Sequence, residues 1–169
     1  MVITQPGLKS CVQVIDGKQP ELSSYEDSDI MLIAPFSRID RILLNKTFAH
    51  PPSSIFGQEP THNWCYYYEK ASLARQQNNW ETIVRLGEEA SLKGFSPSDE
   101  IEWMPFLQAY IILGEKDKIQ QIAPLINKDP FVKAQVCKML NNMVQTNYIN
   151  EKEYQILVQL IHCQLLHEN

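Results

Sequence analysis

The stretch ARQQNNWETIVRLGEEASLKGFSP, residues 74–97, determines the fold. It passes from helix formers to two asparagines and a tryptophan at 78–80, continues through a second run of helix formers, and closes with Gly94 and a serine–proline pair. An asparagine before a helical run can bond the free N–H groups of the first turn. The pattern therefore predicts two helices joined by a tight corner, which is a helical hairpin.

Similar start and stop signals recur along the rest of the chain. Gly94 and Gly114 sit where helices should stop, because glycine tolerates the left-handed conformation that often ends them. Starts fall at Asn78, Ser96, Asp129 and Asn150, each followed by an acid or a proline suited to a first turn. These signals predict six helices at roughly 62–77, 79–93, 98–113, 116–127, 130–146 and 151–167.

The corner at Asn78 recurs at Gly114, a spacing of about 36 residues that is close to the ~34-residue tetratricopeptide period. The second unit follows the spacing of that repeat's Trp, apolar, Tyr, Gly and Ala positions with Trp103, Phe106, Tyr110, Gly114 and Ala123. The first unit contributes Tyr67, Ala71, Ala74, Ala90 and Pro97. Ile83 and Gly87 of the first unit and Ile119 of the second depart from the pattern. Residues 62–127 thus resemble tetratricopeptide-like repeats, with the last two helices as a divergent capping hairpin.

The expected fold class is mainly α, with about six helices arranged as tetratricopeptide-like hairpin repeats. We expect this helical repeat domain to cover residues 61–169. An extended, mostly irregular N-terminal arm should occupy residues 1–60, with no helix longer than about three turns. The residues expected to be buried between hairpins are Trp80, Leu86, Trp103, Phe106, Tyr110 and Ile122.

Two segments of the arm carry structural signals. SCVQVID, residues 10–16, alternates as a short strand or half of a hairpin would. HPPSSIFGQEP, residues 50–60, is interrupted by prolines and is therefore expected to contain no regular structure. An extended proline-rich segment loses little conformational entropy on binding. We therefore expect its two large apolar residues, Ile55 and Phe56, to pack against the first hairpins near Trp64 and Tyr68.

Composition narrows the classes of partner. The chain has 169 residues, which is enough for a buried core. Its formal charge is -5 and its pI is about 5.4, and it shows no basic patch that would favour binding of nucleic acid. The N-terminus lacks the features of a signal peptide, and apolar runs such as IMLIAPF are too short to span a bilayer. We expect a soluble polypeptide that does not insert directly into a membrane and that has a protein or peptide partner. Its expected location is the cytoplasm, unless the chain is part of a membrane protein.

Three segments carry a narrower resemblance. They are SCVQVIDGKQPEL at 10–22, FSRIDRILL at 36–44 and the stretch from HNWCYYYEK to MPFLQAY at 62–110. Together they resemble the C-terminal region of bacterial polytopic membrane proteins of the dolichyl-phosphate-mannose mannosyltransferase-like type. The resemblance implies an extracytoplasmic accessory domain whose partner is the membrane portion of its own protein. It implies no catalytic residue in this chain, because the catalytic acids would belong to that membrane portion.

The cysteines and histidines favour no cofactor or metal. Cys11, Cys65, Cys137 and Cys163 lie far apart without a CxxC pair, so we interpret them as small buried apolar residues, although four cysteines allow three disulfide connectivities. In HCQLLH, Cys163 and His167 are one helical turn apart, but no third and fourth ligand is evident, and a polar helix end explains them. His50 and His62 are interpreted as polar loop residues.

Specific enzyme signals are also absent from the sequence. Glu88 and Glu89 are neighbours on a helix and Glu100 and Glu102 diverge by two positions, so both pairs are interpreted as solvated charges. No glycine-rich phosphate loop, GxSxG elbow or HExxH motif occurs. The sequence thus predicts no catalytic residue.

The densest aromatic cluster is WCYYYEK, residues 64–70, and it supplies the candidate partner-binding residues Trp64, Tyr66, Tyr67 and Tyr68. One helix cannot bury all four rings on one face, so some should meet the arm, solvent or a peptide. Our leading hypothesis is a non-catalytic helical repeat module for protein–protein or intramolecular contact. The alternative is a small enzyme or ligand-binding protein with its site where the arm crosses the repeats. Converging acids or His62 under the arm would favour the alternative.

Overall fold

The computed structural model describes residues 1–40, 42, 52–58 and 61–163, and this part of the chain is mainly helical, as predicted. None of the described helices is both long and apolar enough to cross a membrane. In chain order the elements are β1 Val2–Thr4, β2 Gln13–Ile15, α1 Ser28–Ile33, α2 Ser53–Phe56, α3 Trp64–Gln76, α4 Trp80–Leu92, α5 Met104–Leu113, α6 Lys116–Ile126, α7 Pro130–Gln145 and α8 Glu151–Leu160.

Helices α3 to α8 correspond to the six helices that the sequence predicts. Asn63, Asn79 and Asp129 each accept hydrogen bonds from N–H groups of the first turn that follows them. Asn150 and Glu153 form a reciprocal capping box at the start of α8. Most of these helices therefore begin where a local side chain satisfies their unpaired donors.

Two boundaries differ from the prediction. The third predicted helix starts as a 3-10 turn, Glu100–Trp103, before α5. Pro105 has no N–H and cannot make the i→i−4 bond that would extend α5 backwards. At the other end of the chain, α8 stops at Leu160 rather than near 167, because His162 takes a left-handed φ of 56°. The remainder of the predicted helix, from residue 164 on, lies outside the described residues.

One apolar core runs through α3 to α8. Helices adjacent in sequence pack on each other, and α3 also contacts α5. Of the six residues predicted to be buried between helices, four are buried and the two tryptophans are half-buried. The buried residues are Leu86, Phe106, Tyr110 and Ile122, and the half-buried ones are Trp80 and Trp103.

Gly87 lets α4 approach α5 closely. A Cβ atom at this position would lie 2.3 Å from the Tyr110 hydroxyl oxygen and 3.0 Å from Phe106 Cδ1. We expect Gly87→Ala to destabilise the fold by about 1–2 kcal/mol, because overpacking outweighs the better helix propensity of alanine. Chemical denaturation checks this, with Ser91→Ala on the exposed side of α4 as control. The double variant Gly87→Ala/Tyr110→Phe lacks the clashing hydroxyl and should recover part of the lost stability. If it is no more stable than Gly87→Ala alone, the packing assigned to Gly87 is contradicted.

The N-terminal arm forms a small unit of its own. β1 and β2 pair antiparallel, and β2 is the short strand that the sequence predicts within 10–16. Behind this hairpin, Ile15, Leu22 and Ala34 form a second apolar cluster against which Met31 packs. The N-terminal part of the arm therefore has a small apolar core of its own.

The predicted role of Ile55 and Phe56 is wrong. These side chains are 76% and 71% exposed, so they do not pack beside Trp64 and Tyr68. The helical domain is covered instead by residues 10–22, which contribute a disulfide and buried hydrogen bonds. The prediction that residues 50–60 contain no regular structure is also wrong, because Ser53–Phe56 form the short helix α2, which starts directly after Pro52. This helix has no buried residue, so it adds no apolar contact to the helical domain.

The interpretation of the cysteines as unpaired apolar residues is also wrong. Cys11 is bonded to Cys65, and Cys137 is bonded to Cys163. The first disulfide joins the arm to α3, and the second joins α7 to the residues that follow α8. Cys163 is thus engaged in a disulfide, and its suggested metal partner His167 lies outside the described residues, as does His50.

Candidate functional site

Two buried acids hold the arm from beneath. Glu102 is fully buried and accepts hydrogen bonds from the Cys11 backbone N–H at 2.6 Å and from the Trp64 indole Nε1–H at 2.7 Å. Asp99, also buried, accepts a hydrogen bond from the Ser10 hydroxyl at 2.9 Å. The prediction that Glu102 is solvated is wrong, because two donors from the arm and α3 enclose its carboxylate. Asp99 and Glu102 therefore hold the arm against the helical domain, beside the Cys11–Cys65 disulfide.

The pKa of Glu102 is raised to about 7, mainly by burial and to a smaller extent by the nearby carboxylates of Asp99 and Glu100. The hydrogen bonds from Cys11 and Trp64 oppose the shift because they favour the charged form. Removal of the carboxylate from water therefore outweighs its two donors. In the folded state, Glu102 changes its charge near neutral pH.

This shift predicts a pH-dependent stability. The folded pKa of Glu102 is about 7 and its ordinary value is 4.5, so the folded state binds the proton more tightly than the unfolded state. The stabilisation is fully present below about pH 4.5 and is lost as the pH rises through 7. We expect the contribution of Glu102 to the unfolding free energy to fall by about 2–3 kcal/mol between pH 5 and 8.

Denaturant titrations of the parent, Glu102→Gln and Glu100→Gln across this pH range measure the effect. Glu102→Gln should lose this part of the pH dependence, and the neighbouring Glu100→Gln should keep most of it, because the Glu100 carboxylate makes only a minor contribution to the raised pKa of Glu102. An identical pH dependence in the parent and Glu102→Gln would contradict the raised pKa.

Two polar contacts extend the attachment of the arm. Both carboxylate oxygens of Glu21 accept hydrogen bonds from the Arg75 guanidinium at 2.6 Å, and Gln108 on α5 accepts a further one from Arg75. The Gln135 side chain on α7 accepts from the Leu22 N–H at 2.7 Å and donates to the Leu22 carbonyl at 2.8 Å. Glu21 and Leu22 of the arm are therefore bonded to α3 and α7, and Arg75 in turn bonds Gln108 on α5.

A cleft of about 680 Å³ remains between the attached arm and the helices. Its arm side is formed by β2 with the following turn and by residues 37–40, and its floor by α3, the start of α4 and α5. Amide, aromatic and charged side chains line it, among them Gln13, Tyr68, Arg75, Gln76, Trp80 and Gln108.

The charged groups of the cleft are largely paired with one another. Glu21 is bonded to Arg75 through both oxygens, and Asp40 is bonded to Arg38 through both of its own at 2.8 Å. Asp16 accepts a backbone N–H within its own turn. These carboxylates are engaged in hydrogen bonds, and no histidine lines the described part of the cleft. The arrangement suits recognition of an uncharged ligand better than proton transfer.

The structure separates the four aromatic residues that the sequence singles out. Trp64 and Tyr67 are core residues: Trp64 contacts Phe106, and the Tyr67 hydroxyl accepts a hydrogen bond from Lys93 at 2.7 Å. Tyr66 is half-buried in a stack with the His62 ring. Tyr68 is buried by residue area but lines the cleft. A partner that leaves the fold intact therefore meets Tyr68 and Tyr66 before the other two, and partner contact by this cluster stays a prediction.

The residues that bind the arm were not identified from the sequence. Glu21 and Arg75 are 54 positions apart, and Cys11 and Glu102 are 91 apart, so no local pattern links them. The one signal is the position of Glu102 in IEWMPF, where an acid stands among apolar residues. Such a residue is either at a surface or buried with donors, and only the fold decides which.

Comparison of the chain with protein-family models, curated protein sequences and solved structures gives no significant match. The function is therefore inferred from the cleft and from the way in which the arm is held.

Proposed function

We propose that the chain is a non-catalytic helical repeat module that binds a protein segment in the cleft between its arm and its first helices. The observation that carries this proposal is the 680 Å³ cleft itself, with paired charges, amides and Trp80 along its walls. Pockets of about 300–1,000 Å³ with a few polar groups among apolar ones are typical of ligand sites. Because Cys65 and Glu102 hold the arm in place, the cleft is formed before a partner arrives, and less ordering is needed on binding.

Tetratricopeptide-like geometry is part of the proposal, and the hairpin corners support it. Asn78, Gly114 and Asn147 each take a left-handed φ between paired helices, at 53°, 71° and 60°. They stand about 36 and about 33 residues apart, close to the ~34-residue period of such repeats. The third corner extends to α7 and α8 the recurrence that the sequence shows for the first two units.

We also propose that this module is the accessory domain of a membrane glycosyltransferase-like protein and faces away from the cytoplasm. The resemblance of residues 10–22, 36–44 and 62–110 to such proteins is one support. The two disulfides are another, because disulfides form and persist in oxidising compartments outside the cytoplasm. The partner segment would then belong to the membrane portion of the same protein. Transmembrane spans in the reading frame upstream of Met1 would support this proposal, and a stop codon directly before Met1 would contradict it.

A small enzyme or ligand-binding protein with a site under the arm is the second candidate. Buried acids do converge there, which is what this candidate requires. However, Asp99 and Glu102 do not line the cleft, and their oxygens accept hydrogen bonds from Ser10, Cys11 and Trp64. The acids therefore hold the arm, and the cleft favours binding over catalysis.

A peptide selection tests the proposed function. The disulfide-bonded chain is presented with a random dodecapeptide library on phage, beside the variants Gln76→Trp and Gln77→Trp. Gln76 lines the cleft and the adjacent Gln77 does not, so the first tryptophan fills the site and the second is a matched control. We expect peptides that bind the parent and Gln77→Trp but not Gln76→Trp. Enrichment that is equal on all three proteins, or no enrichment, would contradict a peptide-binding cleft.

A further inference from the structure

The arm is attached to the helical domain at two places that differ in kind. At the first, which we call the fixed end, Cys11 is bonded covalently to Cys65, and its backbone N–H donates to the buried Glu102 carboxylate. Beside it, the Ser10 hydroxyl donates to the buried Asp99. Opening this end would require a covalent bond to break and two buried acids to lose their donors. The fixed end is therefore the stronger attachment.

The second attachment, which we call the latch, consists of polar contacts alone. The Glu21 carboxylate is paired with the Arg75 guanidinium, and these side chains are 23% and 22% exposed, so water can reach both partners. Gln135 on α7 bonds both the backbone N–H and the carbonyl of Leu22. A hydrogen bond that can be exchanged for one to water contributes little net stability. The latch is therefore the end that can open on its own.

The apolar contacts of the arm do not oppose such an opening. The helices share one apolar cluster, and within the described residues the arm contributes only Cys11 to it. Leu22 belongs to the arm's own cluster, together with Ile15 and Ala34. The arm can therefore move at the latch with its small core intact. Polar interfaces of this kind are typical of parts of a chain that move relative to each other.

The cleft adjoins both attachments. Its arm side includes residues 13–16 directly after the fixed end, and its wall contains Glu21 and Arg75 of the latch, whereas Gln135 lies outside it. Movement of the latch about the fixed end would therefore widen the cleft on one side. The contacts of the latch must break before that wall can move.

We propose that the latch opens while the fixed end stays attached, and that this opening admits the peptide to the cleft. The role in peptide entry rests on the proposed function, because the peptide enters the same cleft. The opening itself is a property of the unliganded chain and is measured without a peptide.

Amide hydrogen exchange of the unliganded, disulfide-bonded chain tests the opening. The Leu22 N–H reports on the latch and the Cys11 N–H on the fixed end, because each donates to a side chain of the helical domain. After correction for intrinsic rates, we expect the Leu22 amide to exchange at least about a hundredfold faster than the Cys11 amide. Equal protection of the two amides would mean that the arm is released only as a whole, and would overturn the latch.

The variant Arg75→Gln shows whether the two contacts of the latch open together. It breaks the pair with Glu21 but leaves Gln135, the partner of the Leu22 amide, in place. We expect about tenfold faster exchange at Leu22. Exchange at Cys11 should stay unchanged, which also shows that the fold is intact. An unchanged rate at Leu22 would contradict a joint opening.

Two further variants complete this experiment. Arg85→Gln removes an exposed ion pair with Glu89 on α4, so it is the matched control and should leave the exchange of both amides unchanged. Glu21→Gln breaks the pair with Arg75 from the side of the arm, and it replaces Arg75→Gln if that variant does not fold.

The variant Gln135→Ala tests the role of the latch in peptide entry, because Gln135 bonds Leu22 but does not line the cleft. The probe is the peptide most enriched on the parent and lost on Gln76→Trp, with its rate constants measured by surface plasmon resonance. If the peptide enters and leaves through the same opening, both rate constants should rise about fivefold with less than about twofold change in Kd. Gln145→Ala, exposed on the same helix, is the control and should change neither.

The outcomes separate the latch from the proposed function. Unchanged rate constants in Gln135→Ala would mean that the peptide enters without the latch, and a faster dissociation alone would mean that Gln135 stabilises only the bound state. Either result overturns the role in entry while peptide binding stands. If the selection finds no peptide that depends on the cleft, the role in entry fails with the proposed function, and exchange at Leu22 still decides whether the latch opens.

Discussion

Removing the disulfide between the arm and α3 is expected to lower the free energy of unfolding by about 4 kcal/mol. The bond between Cys11 and Cys65 closes a loop of 54 residues, and in the chain-entropy account a loop of this length restricts the unfolded state by about that amount. The double variant Cys11→Ser/Cys65→Ser should also loosen the arm, because Ser10 and the Cys11 N–H are held by acids directly beside the bond. Denaturant titration and binding of a hydrophobic dye, both without reductant, measure the two effects.

The second disulfide is the matched control. Cys137→Ser/Cys163→Ser opens a bond that closes only 26 residues, for which about 3.5 kcal/mol is expected, and it should leave the arm and the cleft as they are. The distinguishing result is therefore loss of the selected peptide in the first double variant and its retention in the second. If both double variants bind the peptide like the parent, the arm does not need its tether to form the cleft.

Truncating Phe106 is expected to have an effect of similar size on stability. The ring is fully buried between the helices and contacts Trp64 and Trp103, so Phe106→Ala leaves a cavity and should cost about 3–5 kcal/mol. Trp103 is only half-buried, and truncating it should cost less. The unfolding free energy from denaturant titration measures each change.

Phe36 provides the control for this experiment. It is 81% exposed, and Phe36→Ala should change stability by no more than about 0.5 kcal/mol. Equal melting of Phe106→Ala and the parent would mean that the helices do not pack around this ring.

The helices could be predicted because their signals are local. Caps such as Asn150 with Glu153, and left-handed corners such as Asn78 and Gly114, act within a few residues of their own position. The period of apolar residues then gives the buried face of each helix. The departure at Gly87, by contrast, has a tertiary cause, because the Tyr110 hydroxyl on α5 takes the space that a side chain would fill.

The position of the arm could not be predicted, because nothing local encodes it. The proline-rich segment around Ile55 was expected to cover the helices on the ground of its low conformational entropy, but low entropy does not specify where a segment binds. The segment that does cover the helices, residues 10–22, is held there by a disulfide and by Glu102. The hydrogen-bond donors to Glu102 come from residues far away in the sequence. Composition alone cannot distinguish a buried, bonded glutamate from a solvated one.

The candidate site was anticipated only in outline. The sequence placed an alternative site where the arm crosses the repeats, and the structure has a cleft there. Tyr68 belongs to the aromatic cluster that the sequence singles out, and it lines the cleft. Gln13, Arg75 and Gln108 also line the cleft, but single amides and arginines carry no sequence motif that could predict this. Their convergence is a property of the tertiary fold.

The most direct measurement of peptide binding in the cleft uses the three tryptophans. The chain contains only Trp64, Trp80 and Trp103, so labelling with 5-fluorotryptophan gives three fluorine resonances, which substitution of each tryptophan by phenylalanine assigns. Trp80 lines the cleft, while the other two contact each other and Phe106. Titration with the selected peptide should move the Trp80 resonance and leave the other two nearly unchanged. A bound peptide that moves Trp64 or Trp103 while the Trp80 resonance stays in place would contradict binding in the cleft.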